Sequence, residues 1–247
     1  MNYINPMTLL RLLIYIITCN VMMATTITVD QSGSGNHTTI SGAISAASSD
    51  DTIKVNSGYY IENFTINKTL VIIGSGYSNT TIYSGNTVIH ANSDLQISGF
   101  TIESSSNTSF YSYSSLKLSN CIVKSSESAL YLEGGSANII NCVFKDSNVG
   151  IRVGGNYSAT ASIINCVFDE TNYGVSQWHG SSVIQNSIFY NNNNYAIYKE
   201  SSSAAVTSVF NIYYLNSPPF YNVSFGTGDL TSNPQFNDLS AGYTIST

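Results

Sequence analysis

Between Leu116 and Phe189 the chain says almost the same thing four times. Leu116-Lys-Leu-Ser-Asn-Cys-Ile-Val123 returns as Ala137-Asn-Ile-Ile-Asn-Cys-Val-Phe144, as Ala161-Ser-Ile-Ile-Asn-Cys-Val-Phe168 and as Ser182-Val-Ile-Gln-Asn-Ser-Ile-Phe189. The asparagines fall at Asn120, Asn141, Asn165 and Asn186, so the period is 21, then 24, then 21 residues. A repeat this short is one supersecondary unit that buries its apolar face only by stacking on its neighbours, which means a solenoid. Each unit alternates apolar and polar residues over short runs and is rich in Ile, Val, Phe and Tyr, the residues of pleated strands. The expectation is an all-β fold, a parallel β-helix whose coils stack at the ordinary strand spacing of ~4.8 Å.

The columns of that stack follow. Asn tolerates the left-handed turn that a coil needs at a corner, and its amide can bond the next Asn above. Cys121, Cys142 and Cys166 then point back inside as a stack of small buried hydrophobes. Neighbouring coils bring pairs of them near disulfide range, and with three, one stays free or pairs elsewhere. A second run repeats in phase at Ala129-Leu-Tyr-Leu-Glu-Gly134, Gly150-Ile-Arg-Val-Gly154, Gly174-Val-Ser-Gln-Trp178 and Ala196-Ile-Tyr-Lys-Glu200. There Leu130, Ile151, Val175 and Ile197 face in, and Tyr131, Arg152, Ser176 and Tyr198 form a column facing out. Phe110, Tyr111 and Tyr113 extend it one coil earlier.

Residues 1–24 read as a secretory signal: Arg11, the apolar run Leu12-Leu-Ile-Tyr-Ile-Ile17 and the small Ala24. The apolar run is short for a membrane span, and an uncleaved anchor is the alternative. Residues 25–247 then form a single β-helix domain. Seven Asn-X-Ser/Thr triplets, headed by Asn36, Asn63, Asn67, Asn79, Asn107, Asn156 and Asn222, are glycosylation acceptors in a eukaryotic secretory setting. The expected localisation is extracellular or at the cell surface. Charged residues make up 9% of the chain and the net charge is −6, which argues against nucleic acid as a partner. Thr39 to Ala47 carries Ile40, Ala43, Ile44 and Ala47 at helical spacing behind a Thr N-cap. Such a short amphipathic helix would cap the exposed first edge of the solenoid. Ala205 to Tyr214 reads as a degenerate late coil, and Ser217-Pro-Pro-Phe220 as the end of regular stacking.

The opening segments Val29-Asp-Gln-Ser-Gly-Ser-Gly-Asn36, Thr39-Ile-Ser-Gly-Ala-Ile44, Asp51-Thr-Ile-Lys-Val55, Gly58-Tyr-Tyr-Ile-Glu-Asn63 and Leu70-Val-Ile-Ile-Gly-Ser-Gly76 resemble the start of pectin methylesterases. More broadly the chain resembles right-handed parallel β-helix proteins of the pectin-lyase-like superfamily. The asparagine column and the closing stretch Asn233-Pro-Gln-Phe-Asn-Asp-Leu-Ser-Ala-Gly-Tyr243 resemble the same folds. The resemblance implies the scaffold and a face that binds sugar chains. The esterase motifs Gln-Asp, Asp-Phe-Ile-Phe-Gly and Gly-Arg-Pro-Trp do not occur in this sequence. Neither do the paired acids that glycoside hydrolysis needs on the middle coils. No catalytic residue is assigned, and the spacing of His, Cys, Asp and Glu gives no metal site and no cofactor.

What remains is the outward column. Tyr131, Glu133, Arg152, Trp178, His179 and Tyr198 come from four consecutive coils and make a candidate carbohydrate-binding face. Aromatic rings pack on the apolar faces of sugars, and Arg grips a carboxylate in a bidentate way. The bland alternative is a scaffold surface on which Arg152 and Glu133 form an ordinary ion pair. The enzyme alternative is an esterase- or lyase-like site around Arg152, Glu133 and His179. The expected partner is an extracellular polysaccharide, with no transmembrane segment beyond the signal region.

Overall fold

The computed structural model describes residues 24–238 and 244–245, with side chains described up to residue 235. The expected signal segment, Ala24 apart, lies outside the described residues. From Thr52 onward the chain winds through eight coils, each contributing one strand to each of three parallel sheets. Sheet A starts with Thr26–Val29 and Thr52–Val55 and ends with Ala205–Val209; sheet B runs from Gly58–Ile61 to Ile212–Tyr214. Sheet C stacks Phe64–Ile66, Ile89–Ala91, Phe110–Ser112, Ser128–Leu132, Val149–Val153, Tyr173–Gln177, Tyr195–Lys199 and Phe220–Tyr221. The repeat thus predicts both the solenoid and its register.

Inside, like stacks on like. Leu118, Ile139, Ile163 and Ile184 are aligned on sheet A and fully buried. Leu130, Ile151, Val175 and Ile197 do the same on sheet C. Phe144, Phe168, Phe189 and Tyr213 form a ring stack with centroids 5.2, 4.5 and 4.9 Å apart. Each such pair contributes about 0.5–1.5 kcal/mol beyond its burial. Cys121, Cys142 and Cys166 are buried free thiols. Burial and the adjoining thiols push the Cys142 pKa up, so Cys142 stays a thiol, and all three side chains serve as buried filling.

Asn120, Asn141, Asn165 and Asn186 all adopt the left-handed conformation, φ 50 to 55°. The amide ladder expected along this column is weak: Asn141 Nδ2 meets Asn120 Oδ1 at 3.4 Å. These amides are exposed. A tighter ladder lies at the corner between sheets B and C, where Asn172 bonds Asn148 at 2.9 Å and Asn193 bonds Asn172 at 3.2 Å.

The N-terminal edge is covered as expected by α1, Ile40–Ala46, with Ile40, Ala43 and Ile44 buried beneath it. Thr39 Oγ1 accepts from Gly42 N at 3.2 Å. Glu62 from the first coil adds a second cap, accepting from Ile40 N and Ser41 N at 2.9 Å each. Lys68 Nζ donates to Ile44 O and Ala47 O at the other end. A carboxylate at a helix N-terminus and an ammonium at its C-terminus both oppose the helix dipole. Stacking does not end at Ser217-Pro-Pro-Phe220: Phe220 and Tyr221 still pair with Ile197 and Tyr198. Proline blocks donation only at its own position, and the strand resumes just beyond it.

Candidate functional site

The outer face of sheet C carries one side chain per coil in strict register: Thr65, His90, Tyr111, Tyr131, Arg152, Ser176, Tyr198 and Tyr221. Every second residue of a strand points the same way, so a second outward column runs beside the first and includes Tyr113, Glu133 and Trp178. The register places Tyr131, Arg152 and Tyr198 as the sequence predicts. It also brings in His90 and Tyr221, which sequence reasoning missed. Counting back one coil from Tyr111 and forward one from Tyr198 was the signal that would have found them. Phe110 is fully buried and belongs to the core.

Two aromatic groups flank a cation. Toward the N-terminal end, His90 stands edge-on to Tyr111 and Tyr113 at 5.0 and 5.8 Å, and Tyr111 meets Tyr131 at 5.1 Å. Toward the other end, Tyr173, Tyr195, Tyr198 and Tyr221 form a cluster in which Tyr198 and Tyr221 stack at 4.8 Å. Between them the Arg152 guanidinium lies 5.5 Å from the Tyr131 ring and 5.3 Å from the Trp178 ring. Aromatic faces attract a cation and leave the edges of the guanidinium plane for a ligand. Trp178 is fixed by its indole N–H donating to Ser176 Oγ at 3.1 Å, which explains why the outward Ser176 is covered. Arg152, Tyr173, Ser176, Trp178, Tyr198 and Glu200 line a recess of about 200 Å³.

The Arg152–Glu133 ion pair is not formed. Glu133 is buried, and its Oε1 accepts from Asn156 N and Asn156 Nδ2 at 3.0 Å each. Its carboxylate also takes the Tyr131 hydroxyl, which, after burial, is the second cause of the raised Tyr131 pKa. Glu133 therefore clamps the 154–157 turn and the Tyr131 ring. Among the described residues the Arg152 guanidinium has no carboxylate partner, and its Nε is buried without a hydrogen bond. His179 is exposed, with Nδ1 2.7 Å from Gly155 O at the border of the same face. The Tyr198 pKa is pushed up to about 12, first by its hydrogen bond to Glu200 and then by burial. Both phenols stay protonated donors at neutral pH.

The seven asparagines that head Asn-X-Ser/Thr triplets are all exposed. The Asn156 amide donates to the buried Glu133 carboxylate. Among the described residues no group of three or more His, Cys, Asp or Glu is placed to hold a metal ion, and no helix is long and apolar enough to cross a membrane.

Comparison with known proteins decides the family. The profile described as right handed beta helix region matches residues 87–236. The chain belongs to the right-handed β-helix family. Solved structures agree. A pectin methylesterase from Aspergillus niger superposes with a TM-score of 0.66 at 18% identity, covering 83% of this chain and 82% of that one. The carrot pectin methylesterase gives 0.60 at 13% identity over 83% and 81%. The rice weevil pectin methyl esterase gives 0.59 at 14% over 93% of both chains. At these identities the likeness carries the right-handed β-helix fold and no more. No curated protein matches the sequence.

Proposed function

We propose that this β-helix protein is an extracellular polysaccharide-binding protein whose ligand lies along the outer face of sheet C, parallel to the solenoid axis. The observation that carries the reading is the outward column that runs in register from His90 to Tyr221, with Trp178 standing over Ser176. Coil spacing of ~4.8 Å is of the order of one pyranose repeat, so a glycan chain would meet one rung per sugar. Because the rings stack on each other, the rungs offer mainly edges and hydroxyls; the phenols hydrogen-bond sugar hydroxyls while ring faces at the ends of each cluster pack on sugar C–H groups. Arg152 supplies the charge-assisted contact, and the acidic sugar carboxylate is its natural partner. The seven exposed acceptor triplets and the signal-like N-terminus support the extracellular placement.

The test is affinity electrophoresis of the purified chain in gels containing neutral and acidic polysaccharides, with mass spectrometry of each polysaccharide before and after incubation. Retardation by at least one glycan, reduced about tenfold or more in affinity by Tyr198→Ala or Arg152→Ala, is the expected result. Shortened, unsaturated or de-esterified products would replace binding by catalysis, with Arg152, Glu133 and His179 as the site. No retardation in any gel would end the carbohydrate reading.

A further inference from the structure

The outer face of sheet C is poor in charge. Among the described residues its first column, from His90 to Tyr221, holds one permanent charge, that of Arg152. On one side of Arg152 stand Tyr131, Tyr111 and His90; on the other stand Ser176, Tyr198 and Tyr221. The second column runs through Asn92, Tyr113, Glu133, Gly154, Trp178 and Glu200, and the charges it adds are carboxylates. Glu133 is buried and taken up by Asn156. Glu200 is exposed, accepts the Tyr198 hydroxyl and lines the same recess as Arg152.

Spacing turns this into a filter. At ~4.8 Å per coil the outermost rungs of the first column stand about 29 Å apart, the length of a run of several pyranoses. A polyuronate with a carboxylate on every sugar would set one of them against Arg152 and the others over neutral phenols or beside Glu200. Each of those others would lose water without gaining a partner. The whole chain, at net charge −6, repels a polyanion as well. A wholly neutral glycan fails in the opposite way. It covers the Arg152 guanidinium, whose Nε is already buried without a hydrogen bond, and leaves its charge unpaired. Unpaired charges and like-charge contacts are how a site rejects near relatives of its ligand.

We propose that the ligand class is a sparsely acidic glycan: mostly neutral sugars, with each carboxylate separated from the next by at least three neutral residues. The spacing follows from the three uncharged rungs on either side of Arg152. The proposal rests on the polysaccharide-binding reading above and narrows it. One carboxylate takes the open edge of the Arg152 guanidinium, and the neutral sugars on both sides lie along the phenols.

Affinity electrophoresis of the full chain with soluble glycans of graded charge tests this. The probes are sodium alginate, with a carboxylate on every sugar; hyaluronan, with one on every second sugar; low-mass gellan, with one on about every fourth; and the same gellan after its carboxyl groups are reduced to alcohols. Native gellan should bind about tenfold or more tightly than alginate, and about tenfold or more tightly than its reduced form. Arg152→Ala should hold native and reduced gellan alike, which separates loss of the charge contact from loss of the fold. Alginate or hyaluronan binding as tightly as gellan would overturn the proposal, and so would reduced gellan binding as tightly as native. Gellan left unbound while other polysaccharides retard the protein would overturn it too. If no glycan of any kind is held, the polysaccharide reading itself fails.

Discussion

Ile151 and Arg152 are neighbours in sequence and belong to different problems. Ile151 stacks between Leu130 and Val175 in the dry interior of sheet C; Arg152 sits between Tyr131 and Ser176 on its outside. The inner column stays apolar from coil to coil because each member must fill the same volume above and below. The outer column changes from Tyr to Arg to Ser to Tyr, since its side chains extend toward solvent and need not fill one closed volume. The difference teaches that in this solenoid the fold is written in one strand parity and the proposed binding face in the other. A one-residue slip would exchange them.

Substitution is the strongest way to break that contrast. Ile151→Asp buries an unpaired charge between two coils and should cost several kcal/mol, on the order of 3–5. Thermal melting followed by circular dichroism reads it. Arg152→Ala in the same assay should move the melting temperature by no more than a few degrees. Equal damage from both would mean that Arg152 is a structural residue and the contrast is false.

The corners sharpen it on a smaller scale. Asn141 is exposed and left-handed, φ 55°, so its identity matters through backbone alone. Asn141→Val should cost about 1–2 kcal/mol and Asn141→Gly close to nothing. If Val and Gly melt alike, the left-handed corner is not what the Asn column is for.

Acid should loosen the N-terminal cap. Asp51 has its pKa lowered by hydrogen bonds from Thr25 N at 2.6 Å and Ser48 N at 2.7 Å. A carboxyl whose folded pKa lies below the unfolded value of ~3.9 stabilises the fold above that pH and loses its contribution as pH falls through the folded pKa. Melting temperature should thus drop below about pH 4, and Asp51→Asn should flatten that part of the profile while lowering the melting temperature at neutral pH. An unchanged acid limb in the variant would remove Asp51 from the account.

The sequence made the solenoid legible because an asparagine and a cysteine recur in adjacent columns, and neither tolerates a shift in register. It made Tyr131, Arg152 and Tyr198 legible for the same reason. His90 and Tyr221 were hidden because coils two and eight lack the Asn-Cys signature that sets the count. The ion pair of Glu133 with Arg152, the scaffold-surface alternative, is not formed. Register alone places both on one face, but the left-handed turn at Gly154, φ 76°, brings Asn156 back over Glu133. Phe220–Tyr221 was obscured by Pro218 and Pro219, which look like a terminator in sequence and are passed by in the chain.

Trp178 is the chain's single tryptophan, and it stands on the face that the account assigns to glycan, packed on Arg152. Its fluorescence, titrated with fragments of a polysaccharide that retards the protein in the gel, tests the central claim most directly. A saturable change in intensity and emission maximum, with an affinity that weakens in Tyr198→Ala and persists in variants of the sheet B face such as Lys124→Ala, is the predicted result. Emission that stays constant while the glycan still binds would place the ligand elsewhere and contradict the account.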